Sequence, residues 1–168
     1  MDYLIFLSFT ILITCSFLGY GLITANYINK DILEVNIGYI GLIGLLTCTI
    51  ISYITIYFSK HGFFHNIILH AFGLCAFYYF FLKKKINFNI SFSLLIFLIL
   101  FIGLLIIRNH DDFSYYHLTY SLGLTENKLI LGLGNLGNRY NKHSSIFFLN
   151  SIIYLPIIKH YLFHSTGW

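Results

Sequence analysis

Charge is what this sequence has least of. Only 10% of its 168 residues are charged and only six are acidic, whereas a water-facing surface needs roughly a quarter of its residues charged. With 58% hydrophobic residues, 20% aromatic residues and a mean hydropathy of +0.78, an ordinary soluble domain is excluded and an integral membrane protein expected. Cysteine is scarce too: Cys15, Cys48 and Cys75 all lie in apolar runs with no CxxC spacing, which leaves packing rather than disulfide or metal roles. No basic stretch precedes the first apolar run, which is too long for a signal-peptide core, so it is read as a retained anchor. There is no basic face interleaved with stacking residues, which speaks against nucleic acid. The net charge of +4, with Lys83, Lys84 and Lys85 contributing three positive charges, suits anionic lipid headgroups at the bilayer surface.

What is abundant is apolar length. Crossing roughly 30 Å of hydrocarbon takes about twenty apolar residues, and four stretches qualify: Tyr3 to Tyr27, Ile37 to Phe58, Gly62 to Leu82 and Phe88 to Ile107. The connections are short and polar. The first and third carry Lys30 and Lys83 to Lys85, the second only Lys60. The positive-inside rule puts the first and third in the cytoplasm, and the N-terminus and the segment after Arg108 outside. The sequence thus predicts an all-α, polytopic transmembrane bundle in three parts. Residues 1–107 form four spans, 108–144 an external amphipathic loop, and 145–168 a partial or interfacial fifth helix. In that last run Asn150, Pro156, Lys159 and His160 interrupt the apolar residues, so it either starts in the interface or needs further membrane helices beside it.

The loop opens with "RNHDDFSYYHLTY". As a helix beginning near Asp111 it puts Asp112, Tyr115, Tyr116 and Thr119 on one face. The carboxylates are then either an N-cap and a first-turn acid or reactive groups. "LGLGNLG", with Gly132, Gly134 and Gly137, has the spelling of a dinucleotide fingerprint. No acidic residue follows it, and the next element is apolar, so a loop is expected there. His61 and His65 are spaced to share a helical face, but no Cys, Asp or Glu completes a metal site, and a hydrogen-bonded membrane histidine or an interface residue is the expectation. "RYNKH", Arg139 to His143, gathers cationic side chains before the last apolar run. They suit either interfacial anchoring or binding of a lipid phosphate.

Acids first, cations later and then an apolar helix, all in one external loop: this order resembles the first external loop of the GT-C glycosyltransferases, and most nearly the branch with aminoarabinose transferases and protein O-mannosyltransferases. In that branch an acidic pair follows a membrane helix, a tyrosine comes soon after, and an aromatic-x-Lys segment opens the next membrane element. Here the counterparts are Asp111 and Asp112, Tyr115 or Tyr116, and Tyr140 with Lys142. His143 and Ser144 stand where the family has prolines. The resemblance implies a transferase taking a sugar from a polyprenyl-phosphate donor at the outer face of a bacterial inner membrane. Asp111 and Asp112 would be catalytic, and Tyr115, Tyr116, Arg139, Tyr140, Lys142 and His143 would bind substrate. Some members also use a divalent cation. Family members have more than twice as many spans, so the chain is expected to be the N-terminal part of a larger enzyme. A non-catalytic membrane subunit or scaffold, and an oligosaccharide polymerase or ligase, are the alternatives.

Overall fold

In the computed structural model the described residues are 3–28, 36–83, 90–106, 113–130, 132, 135 and 144–163. Among them the all-α expectation holds. Six α-helices occur, α1 (Tyr3–Ile28), α2 (Ile37–Thr55), α3 (Phe63–Lys83), α4 (Ile90–Ile106), α5 (Leu118–Glu126) and α6 (Ser145–Ile152), with a π-helical turn over Phe113–His117 leading into α5, and there is no strand. α1, α2 and α3 are long and apolar enough to cross a membrane. At 1.5 Å per residue they measure about 39, 28 and 32 Å. α4 is apolar along its 17 described residues, about 26 Å; the ends of its expected span lie outside the described residues.

These helices form because their backbones must bond internally in an apolar medium and almost nothing in their sequences competes. Several of the few hydroxyls present bond back along their own helix. Ser8, Thr10 and Thr14 donate to the carbonyls of Leu4, Phe6 and Thr10 at 2.7–2.8 Å, so each polar group is satisfied without leaving its turn.

The chain divides into two compact units, and the boundary falls inside α2 and inside α3. One comprises Met1–Cys48 and His70–Arg108, the other Thr49–Leu69 and Asn109–Trp168. In the first, small residues bring backbones together. A methyl group added at Gly19 would strike the Gly73 carbonyl; one at Gly44 would strike that of Phe17, and one at Gly21 that of Ile40. Close approach through small residues is how apolar helices gain contact where burial from water offers no drive. Leu22, Ile40 and Phe80 fill the space beside these crossings. Thr47 donates to the Ile43 carbonyl at 2.8 Å, so in the 3.0 Å contact between Thr24 and Thr47 it is Thr24 that donates. Ser16 and His70 Nδ1 lie 3.0 Å apart, both buried, and Phe6 meets Phe101 of α4.

The second unit is built around Ile56, Tyr120, Leu124, Phe147 and Phe148. Its helices are short, and the backbone is stitched across them: the His61 amide donates to the Leu124 carbonyl at 2.9 Å and the Leu129 amide to that of Ile56 at 3.2 Å. Residues 128–130 form neither helix nor strand. Gly132, at φ 84°, makes a turn closed by the Asn135 amide on its carbonyl, a left-handed position that glycine adopts without penalty. α6 starts at Ser144, whose hydroxyl accepts from the Ile146 amide, and runs for eight residues. The rest of the last apolar run, up to Phe163, is a series of turns rather than a continued helix. Pro156 supplies no amide and disfavours helical geometry at Leu155. Ile153, Leu155, Ile158, Leu162 and Phe163 are nonetheless buried.

Candidate functional site

Of the residues singled out in the sequence, Asp111, Asp112, Arg139, Tyr140, Lys142 and His143 lie outside the described residues. Tyr115 and Tyr116 are described, and they face different ways. Both sit in the π-helical turn, whose wider winding shifts the side-chain register from that of an α-helix. Tyr115 is exposed on the same side as Thr119, whose hydroxyl donates to the Tyr115 carbonyl. Tyr116 turns inward, perpendicular to Phe147 with centroids 6.0 Å apart. His117 lies edge-on to the same ring at 5.1 Å, and Tyr120 is tilted against it at 5.0 Å. The residues that directly follow Asp112 and His143 in sequence therefore lead into helices that meet at Phe147.

A second polar group was only partly visible beforehand. His61 is fully buried, with Nδ1 2.6 Å from the Ser151 hydroxyl and Nε2 3.1 Å from that of Thr55. The Ser151 proton is already committed to the Phe148 carbonyl at 2.7 Å. Ser151 must therefore accept from His61, which carries its proton on Nδ1, while Nε2 accepts from Thr55. Burial, then the neighbouring His65, pushes the His61 pKa down to about 3 against a smaller opposing effect of the Ser52 carbonyl. The ring is neutral at physiological pH.

Beside it, the Asn66 amide nitrogen lies 2.8–2.9 Å from the carbonyls of His61, Ser151 and Tyr154, and its oxygen accepts from His65 Nδ1 at 2.9 Å. Two amide protons serving three carbonyls means that one is shared. The His65 ring stacks on that of His61 at 4.8 Å. Of the two roles expected for it, His61 is hydrogen-bonded. Its partner Ser151, 90 residues away, carries no signal in the sequence. The asparagine in the first turn of an apolar helix was the signal available, since a buried amide demands partners.

Chemically, this cluster is a clasp. Every proton is spoken for and Ser151 is not activated as a nucleophile, because His61 donates to it rather than accepting from it. Among the described residues there is no group of three or more His, Cys, Asp or Glu able to hold a metal ion. No known family model, curated protein or solved structure matches the chain.

Proposed function

We propose that the chain is a multi-pass protein of a bacterial inner membrane that transfers a sugar from a polyprenyl-phosphate donor at the external face, with its chemistry in segment 108–144. The observation that supports this reading is the aromatic seam of Tyr116, His117 and Tyr120 against Phe147. Asp112 is one residue before the π-helical turn and His143 two before α6. A seam between those two elements is what an acid pair and a cation cluster need in order to serve one substrate. In the reaction an acceptor hydroxyl or amine attacks the anomeric carbon, its proton passes to a carboxylate, and the bond from that carbon to the phosphate oxygen breaks, leaving polyprenyl phosphate as an anion. Asp112 is assigned the base and Asp111 the orientation of the acceptor. Lys142 and Arg139 hold the phosphate.

The test is transfer of labelled sugar from an undecaprenyl-phosphate donor by purified protein. Asp112→Asn keeps size but cannot take a proton, so turnover should fall about a hundredfold or more, with Asp111→Asn the milder lesion. Near-normal transfer by both variants would sink the assignment.

One observation favours a second reading, a non-catalytic membrane subunit. α4 leaves Phe92, Leu95, Ile99, Ile102 and Ile106 exposed, an apolar surface that either lipid or partner helices would cover. Absence of transfer by the unmodified protein, together with co-purification of another membrane protein through α4, would favour it.

A further inference from the structure

The turns after α6 contain the only described non-glycine residues with positive φ, Ile157 at 74° and Lys159 at 46°. The Ile158 amide donates to the Pro156 carbonyl at 2.9 Å across Ile157, which makes a three-residue turn of the rare, strained hand. The Lys159 amide then closes on the Leu155 carbonyl at 2.8 Å. A β-branched side chain is among the worst choices for such a centre. The strain gains nothing from the protein's own core, because Ile157 is 65% exposed. Lys159 and Tyr161 are exposed with it, while Leu155, Ile158 and Leu162 before, among and after them are buried. The segment thus displays an aliphatic tip, a cation and a phenol on its outer side.

Its depth is fixed by α3. Immediately before the turn, Tyr154 stacks flat on Phe63 at 4.7 Å, and its carbonyl accepts from Asn66 in the first turn of that helix. Phe63 is where the apolar span begins, and Phe64, Ile67 and Ile68 beside it are exposed as lipid-facing residues would be. Three residues of chain reach at most about 11 Å from Tyr154. Ile157 therefore lies no farther than that from Tyr154, which is packed on the residue where the apolar span of α3 begins.

We propose that the Leu155–Tyr161 turn is a membrane-interface anchor. Ile157 sits in the acyl boundary, the Lys159 ammonium meets lipid phosphates, and Tyr161 occupies the headgroup level. Each side chain then matches the layer it favours, and lipid gives the strained isoleucine the apolar surroundings that the fold does not. The proposal is independent of any catalytic reading of the loop.

The test uses the full chain with Trp168→Phe as background, reconstituted in phosphatidylethanolamine–phosphatidylglycerol bilayers. Ile157→Trp, Tyr161→Trp and an aqueous reference, Asn127→Trp, are compared. Acyl-brominated lipid should quench Ile157→Trp at least about twofold more than the reference, and aqueous iodide should do the opposite. Tyr161→Trp should follow the same order and decides the matter if Ile157→Trp does not yield folded protein by gel filtration. Lipid quenching no greater than that of Asn127→Trp would overturn the anchor.

Discussion

At the residue scale, His61 shows how one buried imidazole ties acid stability to fold. Its pKa is pushed down from 6.5 to about 3, so between those values the unfolded chain binds a proton that the folded chain refuses. Stability is therefore complete above about pH 6.5 and falls as the pH drops towards 3, at no more than about 1.4 kcal/mol per pH unit. Denaturation in mild detergent between pH 4.5 and 7.5 should show this slope, and His61→Gln, which carries no titrating group, should lose it. An unchanged slope in the variant would assign the acid sensitivity to other histidines. The boundary position and the spacing to His65 were legible in the sequence. The hydrogen-bond directions were not, because they depend on Ser151 and Phe148, which only the folded chain brings to His61.

At the scale of elements, the long helices were the most legible part, because apolar length alone specifies them. The expected spans Tyr3 to Tyr27 and Gly62 to Leu82 became helices Tyr3–Ile28 and Phe63–Lys83. α2 stops at Thr55, short of Phe58, where the Phe58 and Ser59 amides both turn back to the Thr55 carbonyl. The expected shared face of Tyr115 and Tyr116 does not form, because periodicity arguments assume α-helical winding and this segment opens with a π-helical turn. How the helices meet was hidden, since a glycine in an apolar run is indistinguishable from its neighbours until the facing backbone is known. The glycines should therefore differ sharply when substituted. Gly73→Ala drives a methyl group into Ser16 and Tyr20, and should cost about 1–3 kcal/mol as overpacking. Gly123→Ala, in α5 with nothing within 4 Å of the new methyl, should stabilise by about 0.5–1 kcal/mol through helix propensity. Thermal unfolding in one detergent measures both, and a similar loss in each would mean that the close approach of α1 and α3 does not restrict side-chain size.

At the scale of the whole molecule, the question is which connections share a side of the membrane. The Lys and Arg distribution assigns Lys30 and Lys83 to Lys85 to the cytoplasm, and leaves the α2–α3 connection and segment 108–144 outside. Charge counting is indifferent to contacts, and the contacts bear on one part of it, whether two of these segments share a side. The His61 amide is bonded to the Leu124 carbonyl, and the His61 ring to Ser151, so the α2–α3 connection must lie on the same side as α5 and α6. Two crossings, by α3 and then α4, require that; one crossing forbids it. α4 should accordingly traverse the bilayer even though its described part is the shortest of the four apolar helices. Replacing Cys15, Cys48 and Cys75 and then introducing Asn127→Cys or Asn87→Cys tests this in intact cells. Asn127 is exposed at the end of α5, so a membrane-impermeant maleimide should modify the variant at 127 without lysis and the variant at 87 only after it. Modification of both from outside would mean that α4 does not cross. Modification of 87 alone would invert the protein and remove the proposed sugar transfer from the external face.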